Sequence, residues 1–259
     1  MDLRTDPGIG WPLVSVGPIA LLDADPELAA ELAEEQGEAA RRLAAPAYTL
    51  RRGPLPPIPA RAAGGHMGLL IIRGLVLREV SFLGRPSAEL LGPGDLIRPC
   101  TRALGEDLLG RSVSWFVVEK AVVADIGGSL INRLAGLPPV VEALLDRSIA
   151  RAETLALDRS IASHVRVDVR VLGCLWHLAE RWGIVTPGAV RIELPLTHAL
   201  LARMVGARRP TVTTALQRLI ALGYLRRESG AFVLIGGAAA VEELARTSPS
   251  NDGAIDAAA

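Results

Sequence analysis

The sequence of 259 residues predicts an α+β fold: an N-terminal antiparallel β-roll of the cupin-like kind, a long central helix and a C-terminal winged helix-turn-helix. Three observations carry this prediction. Short β-rich runs separated by Gly and Pro turns fill residues 68–126. A four-three spacing of apolar and small residues follows Pro138-Pro139. Two short amphipathic patterns around Gly206 then precede a hairpin pattern.

Residues 1–137 are predicted to form one domain, the β-roll with an N-terminal helix. Gly and Pro make residues 1–22 irregular, residues 26–43 predict the helix, and four prolines predict an extended loop over residues 53–63. The β-rich runs predict strands over residues 69–80, 88–91, 96–97, 112–119 and 121–126. Gly74 interrupts the first of these strands and predicts a bend or bulge.

Residues 138–163 are predicted to form a central dimerisation helix. Their four-three spacing gives a heptad seam with small residues at its middle, which would let two helices approach closely. The seam consists of Val141, Leu145, Ser148, Ala152, Leu155, Arg159 and Ala162. Packing of this helix on its own β-roll is the alternative explanation of the same spacing. We expect the seam to join two copies of the chain into a homodimer.

Residues 164–236 are predicted to form the winged helix-turn-helix. A hinge, a helix, a loop and a short strand are expected over residues 164–168, 169–182, 183–188 and 190–194. The β-rich residues 224–227 and 231–234 flank Glu228-Ser229-Gly230 and predict the hairpin of the wing. Residues 237–259 are expected to be a tail that begins with a short helix and ends in disorder.

Four residues mark the boundaries of the two helices in this motif. Thr197 is a good N-cap for the first helix, and Gly206 permits the turn that ends it. Pro210 opens the second helix, where a missing N–H costs nothing, and Gly223 closes it. The inward face of the second helix consists of Val212, Ala215, Leu216 and Leu219.

The polar face of the second helix carries Arg and Thr and no carboxylate, which favours contact with a polyanion. Residues 164–236 contain ten Arg and four carboxylates, a local balance of +6, although the whole chain has a formal net charge of zero. The expected DNA contacts are Thr197, Arg208, Arg209, Thr211, Thr213, Thr214, Arg218 and Arg226. Arg209 lies where a recognition helix reaches base edges. The expected phosphate contacts among these residues are Thr197, Arg208, Arg218 and Arg226.

Other classes of protein lack support in the sequence. Cys100 and Cys174 cannot supply the four thiolates of an iron–sulfur cluster, and we expect no metal site. No signal peptide or apolar run of transmembrane length is evident, so we expect a cytoplasmic protein with no membrane partner. We find no nucleophile–base pair, metalloprotease motif, phosphate-binding loop or pair of carboxylates in a recognisable context. We therefore expect that the chain is not an enzyme.

The order of these elements resembles the Crp/Fnr family of bacterial transcription regulators over residues 48–236. The resemblance is strongest in residues 197–206 (THALLARMVG) and 209–212 (RPTV), and weaker in residues 70–76 (LIIRGLV) and 94–97 (GDLI). It implies a homodimer that regulates transcription by placing the second helix of each protomer in the major groove of double-stranded DNA. RNA polymerase is a candidate partner. The alternative is a sensor or interaction module with a vestigial winged helix that does not bind DNA.

Two departures from the family pattern limit what the resemblance implies. Members that bind cyclic nucleotides carry Gly-Glu and then Arg followed by a small hydroxyl residue or alanine, whereas residues 98–107 here read RPCTRALGED and the nearest Arg-Ser is Arg111-Ser112. We therefore expect no tight cyclic AMP binding and no cofactor, and the effector stays unknown. Family regulators often open the second helix with Arg-Glu and place Arg one turn later. Arg209-Pro210 and Thr214 stand there instead, so the family's target sequence is not carried over.

Overall fold

The computed structural model describes residues 13–30, 32, 40, 43–56, 66–99, 110–237 and 239–247. The chain divides into two compact units, residues 1–156 and residues 157–259. The strands of the first unit are β1 (Leu13–Ala20), β2 (Ala44–Leu50), β3 (Gly53–Leu55), β4 (His66–Phe82), β5 (Arg85–Leu91), β6 (Leu96–Ile97) and β7 (Ser112–Gly127). Its helices are α1 (Leu21–Ala24), a 3₁₀ turn (Pro26–Ala29), α2 (Ser129–Leu134) and most of α3 (Pro138–Ser163).

The first unit is an antiparallel β-roll, as the sequence predicts. Its sheet runs in the order β1-β2-β7-β4-β5, with β3 paired to β7 and β6 paired to β4. The strands predicted over residues 112–119 and 121–126 are one continuous strand, so that division was wrong. Strand β4 has a bulge at Gly74, opposite Lys120, where the two predicted strands were divided. A Cβ on Gly74 would lie 2.4 Å from the Lys120 carbonyl oxygen, so the close approach of β4 to the unbroken β7 requires glycine.

The N-terminal part of the roll differs from the prediction. Residues 13–20 form β1 rather than irregular structure, because β1 finds its partner in β2, with Leu13 opposite Leu50. In the predicted helix over residues 26–43, the structure describes a 3₁₀ turn at its start, and most of the remainder lies outside the described residues. The predicted loop begins with the short strand β3, which pairs with β7.

Helix α3 spans the predicted residues and has two different faces. Val140 and Leu144 are buried in an apolar cluster of the roll that also includes Leu70 and Ile126. On the opposite face, Leu145 is 57% exposed and Ile149 is 51% exposed. Because α3 begins in the first unit and ends in the second, its predicted assignment to a separate domain remains a prediction, as do the other domain boundaries.

The second unit contains α4 (Val167–Trp182), β8 (Gly183–Thr186), β9 (Ala189–Ile192), α5 (His198–Met204), α6 (Arg209–Ala221), β10 (Leu225–Glu228), β11 (Ala231–Ile235) and α7 (Ala239–Arg246). Its antiparallel sheet has the order β10-β11-β9-β8. The predicted loop over residues 183–188 was wrong, since β-branched Ile184 and Val185 form strand β8 before a Pro-Gly turn. The predicted tail beyond Thr247 lies outside the described residues. Within the described ranges, no helix has the length and apolar character needed to cross a membrane.

Candidate nucleic-acid interface

The first helix of the motif, α5, is held at its N-terminus by Thr197. The Thr197 backbone is extended, and its Oγ1 accepts a hydrogen bond from the Leu200 N–H at 3.1 Å. Leu200 and Leu201 are buried, so the helix is fixed to the interior of the unit on the side opposite its exposed N-cap. The predicted N-cap is therefore confirmed, whereas a contact of Thr197 with DNA remains a prediction.

The turn between the two helices is closed by a left-handed glycine and by an arginine from α4. Gly206 has φ +61°, a conformation that favours glycine. The Arg170 guanidinium donates to the Val205 carbonyl oxygen at 3.3 Å and also to the carbonyl oxygen of His164, just before α4. Arg170 thus satisfies carbonyl oxygens just before α4 and in the turn, and no local pattern predicts the second contact because Val205 lies 35 residues further along the chain.

The second helix, α6, buries one face and exposes a cationic one. Val212, Leu216 and Leu219 are buried as predicted. Arg208 is the N-cap residue and Arg209 begins the helix, one residue earlier than the predicted opening at Pro210. Both arginines are exposed, and neither guanidinium has a hydrogen-bond or ion-pair partner among the described residues. Since α6 contains no carboxylate, their positive charges are not neutralised from their own helix.

Three threonines lie along α6 in different environments. Thr211 is exposed at the first turn. The Thr214 hydroxyl is also exposed and donates to the Pro210 carbonyl oxygen at 3.3 Å. The partly buried Thr213 hydroxyl donates to the Arg209 carbonyl oxygen at 3.1 Å and lies 2.9 Å from Nδ1 of His198. His198 is a further residue of the interface that sequence reasoning missed, since nothing local links it to a threonine fifteen positions later.

Arg218 is directed toward an internal partner. Its Nε lies 3.5 Å from Oδ2 of Asp168, a buried residue at the start of α4. Arg166 donates to the same carboxylate, with its Nη2 at 2.7 Å from Oδ2, and the Val169 N–H donates to Oδ1 at 2.9 Å. Burial raises the pKa of Asp168, but the hydrogen bond and charge of Arg166, the Val169 N–H and the charge of Arg218 outweigh it and lower the pKa.

The wing is formed by β10 and β11, which are joined by a two-residue turn at Ser229-Gly230. Arg226 is exposed, and its Nη2 lies 3.5 Å from Oε1 of Glu228 on the same strand. The Arg227 guanidinium lies over the Phe232 ring at 4.0 Å from the centroid. Both arginines of the wing are exposed: the charge of Arg226 is partly compensated by Glu228, and Arg227 covers the buried Phe232 ring.

The structure brings most of the predicted contact residues to one module of the second unit. The exposed members are Thr197, Arg208, Arg209, Thr211, Thr214 and Arg226. Thr213 and Arg218 are partly buried and make the internal contacts described above. The role of each residue toward DNA remains a prediction.

The predicted dimerisation residues occupy different surroundings on α3. Leu145, Ser148 and Ala152 are exposed, whereas Val141 and Leu155 are partly buried. The Ser148 hydroxyl donates to the Leu144 carbonyl oxygen at 3.0 Å, so it is satisfied within its own helix. The sequence-based seam did not include Ile149, although this residue is one of the most exposed apolar side chains of the helix.

Two arginines of α3 are paired with carboxylates of the first unit. The Arg147 guanidinium donates to Asp25 at 2.5 and 2.9 Å and to Glu27 at 3.0 Å. The Arg151 guanidinium binds the buried Glu89 carboxylate at 2.6 and 2.9 Å. Across the described part of the chain, no group of three or more His, Cys, Asp and Glu side chains is arranged to hold a metal ion. Residues 100–107 lie outside the described residues. The departure from the nucleotide-binding pattern that was predicted there therefore stays a prediction.

Comparisons with known proteins agree with this architecture. Residues 169–240 match the family described as the Crp-like helix-turn-helix domain. The CRP-like cAMP-activated global transcriptional regulators of two Mycobacterium tuberculosis strains, CDC 1551/Oshkosh and ATCC 25618/H37Rv, are 35% identical to the chain over 132 residues. That alignment covers 50% of this chain and 56% of each relative, so the chain spans just over half the length of the curated relatives it matches.

Solved structures show the same fold at lower identity. A CooA mutant from Carboxydothermus hydrogenoformans has a TM-score of 0.63 and 16% identity, covering 90% of this chain and 97% of CooA. FixK2 from Bradyrhizobium japonicum has a TM-score of 0.57 and 17% identity, covering 79% of this chain and 98% of FixK2.

The fold and the interface define a helix-turn-helix protein with an N-terminal β-roll. The match at residues 169–240 to the Crp-like helix-turn-helix domain agrees with the resemblance to the Crp/Fnr family that the sequence indicates.

Proposed function

We propose that the chain is a sequence-specific DNA-binding transcription regulator that acts as a homodimer. The observation that carries the proposal is the outer face of α6, where Arg208 and Arg209 are exposed and have no side-chain partner among the described residues. Exposed arginines at the N-terminal end of a recognition helix fit both phosphates and base edges. The match of this module to the Crp-like helix-turn-helix family supports the same role.

The exposed residues divide into two roles. Arg209 begins α6, so its guanidinium can donate two parallel bonds to O6 and N7 of a guanine in the major groove. Arg208 at the turn and Arg226 on the wing are suited to phosphates, which position the protein without reading sequence. The methyl groups of Thr211 and Thr214 are suited to apolar contact with the C5-methyl of thymine. Because the Arg218 guanidinium already lies close to the Asp168 carboxylate, we propose that its phosphate contact is weaker than those of Arg208 and Arg226.

The homodimer is proposed to form through the exposed face of α3. Leu145, Ile149, Ala152 and Ala156 follow one another at four- and three-residue intervals on this face, and all are exposed in the single chain. The opposite face is already used, because Val140, Leu144, Arg147 and Arg151 contact the roll. A second copy is the fitting partner for this apolar face, since a twofold axis would bring two recognition helices to two half-sites on DNA.

The dimer is tested by one substitution on each of two helix faces. Ile149→Asp places a charge on the proposed seam and is expected to give a monomer at micromolar concentration in sedimentation velocity. Ala150→Asp is the matched control, since it adds the same charge at an exposed position about 100° further round the helix. A dimer that survives Ile149→Asp as well as Ala150→Asp contradicts the proposed seam.

The effector of the regulator stays unknown, and we propose no cofactor. The name of the curated relatives describes those proteins as cAMP-activated. For this chain we keep the expectation of no tight cyclic AMP binding, because no Arg followed by a small hydroxyl residue stands at the expected place after Gly105-Glu106. RNA polymerase remains a predicted partner, and the cytoplasm the predicted location.

The proposed function is tested by selecting duplexes from a random library with the full-length protein. We expect a consensus of two related half-sites centred about one helical turn, ~34 Å, apart. Binding to the selected duplex is expected to be tighter than to a shuffled duplex and to weaken with salt, because phosphate contacts release counterions. Enrichment of no sequence, with no salt-dependent binding to any duplex, would instead favour a module with a vestigial winged helix.

A further inference from the structure

The first turn of α6 lacks the usual means of holding a helix start. Its N-cap residue, Arg208, makes no side-chain capping hydrogen bond. The preceding turn contains Gly206 in a left-handed conformation, and glycine restricts the backbone least. A side chain from another element can therefore help to fix the segment that presents Arg209.

His198 supplies a contact to this turn from a fixed position. It begins α5 directly after Thr197, whose hydroxyl caps the helix through the Leu200 N–H. Its Nδ1 lies 2.9 Å from the Thr213 Oγ1. The Thr213 hydroxyl in turn donates to the Arg209 carbonyl oxygen at 3.1 Å. A chain of two hydrogen bonds thus joins α5 to the backbone of Arg209.

The hydrogen bonds also define which histidine nitrogen carries the proton. A threonine hydroxyl has one proton, and in this geometry it is directed to the Arg209 carbonyl oxygen. The Thr213 oxygen is then left as an acceptor, so Nδ1 of His198 must donate. This assignment predicts the Nδ1–H tautomer for neutral His198, and it can be measured without DNA.

We propose that His198 is a positioning residue for DNA recognition, which acts through Thr213 to fix the first turn of α6 and the base-reading Arg209. The inference rests on the proposed function. It assigns Thr213 a structural task in place of the predicted DNA contact. It also makes sequence preference, rather than overall affinity for DNA, the property that His198 controls.

The test measures the affinity of the protein and its variants for the selected duplex and for a random duplex in a double-mutant cycle. His198→Ala is expected to weaken the selected duplex roughly 3- to 10-fold, the value of one hydrogen bond, and a random duplex by less than about 2-fold. His198→Asn keeps a donor near the Nδ1 position and is expected to restore most of the loss. In a Thr213→Val background, His198→Ala should have no further effect, because the acceptor is already gone.

The alternatives give different results in the same cycle. If His198 contacts DNA directly, His198→Ala costs as much in the Thr213→Val background as in the parent, and the proposal fails. If the loss is equal on selected and random duplexes, His198 has only a structural or phosphate role, and the proposal fails as well.

A long-range ¹H–¹⁵N NMR spectrum of the DNA-free protein separates this inference from the proposed function. The His198 signal, assigned by its absence in His198→Asn, is expected to be that of the Nδ1–H tautomer at a pH where the ring is neutral. The Nε2–H tautomer overturns the hydrogen-bond chain even if the protein binds DNA specifically. The Nδ1–H tautomer without any sequence-specific binding overturns the proposed function, and the recognition role of His198 with it.

Discussion

The two units of the molecule differ in where their charged side chains find partners. In the roll, Arg147 binds Asp25 and Glu27, and Arg151 binds the buried Glu89. In the second unit, Arg208 and Arg209 are exposed and have no side-chain partner within the described residues. The comparison shows that Arg147 and Arg151 hold parts of the first unit together, whereas Arg208 and Arg209 leave their charge available to a partner outside the chain. Substitutions in the roll should therefore change stability, and substitutions on the outer face of α6 should change binding.

The largest expected effect lies in the roll. Glu89→Gln leaves the Arg151 guanidinium without its carboxylate in a buried setting, and Arg78, whose Nη1 lies 3.5 Å from Glu89 Oε2, loses the same partner. The free energy of unfolding is expected to fall by about 3 kcal/mol, the typical result of breaking a buried ion pair. Denaturant unfolding of the full chain measures it. Glu119→Gln is the matched control on an exposed position of β7, with an expected change below about 0.5 kcal/mol.

The same two variants also test whether ion pairs stabilise the roll. If Glu89→Gln and Glu119→Gln unfold at the same denaturant concentration, the ion pairs of the roll are not a source of cohesion. The two units would then not differ in the way described.

Asp168 is an exception to this difference, because it forms ion pairs with arginines of the second unit. Asp168→Asn removes a buried carboxylate that accepts from Arg166 and is expected to lower the free energy of unfolding by about 2 kcal/mol at neutral pH. The folded-state pKa of Asp168 is depressed, so its contribution is complete above the unfolded pKa of about 4 and is lost as the pH falls through the folded value.

The measurement is denaturant unfolding of wild type and Asp168→Asn as a function of pH. The difference in the free energy of unfolding between the two proteins should become smaller as the pH falls below about 4. Glu153→Gln, at an exposed position of α3, is the control, with no expected difference from wild type in the free energy of unfolding. A difference that is constant with pH would mean that the aspartate contributes through packing and not through its charge.

The sequence predicts the helix-turn-helix well because its signals are local. The hydroxyl of Thr197, the left-handed Gly206 and the apolar spacing of α6 each act within a few residues, and the structure has the helices they predict. Strand β1 was missed because its stability depends on pairing with β2 across more than twenty residues of chain.

The candidate site divides in the same way. The exposed arginines follow from helical periodicity, since the buried positions of α6 leave Arg208 and Arg209 outside. The contact of Arg218 with Asp168 and that of His198 with Thr213 depend on how separate helices pack, which local spacing does not encode. Ile149 falls outside the predicted heptad seam because its exposure depends on which face of α3 the roll already covers.

The central claim is that Arg209 reads sequence while Arg226 binds the DNA backbone. The most direct test titrates Arg209→Ala and Arg226→Ala on a selected and a random duplex at two salt concentrations, with Arg246→Ala on the exposed face of α7 as a control for lost charge. We predict that Arg209→Ala lowers the ratio of specific to random affinity roughly 10- to 100-fold. Arg226→Ala should weaken both duplexes nearly equally and reduce the salt slope by about 0.9. An unchanged ratio for Arg209→Ala would contradict the account.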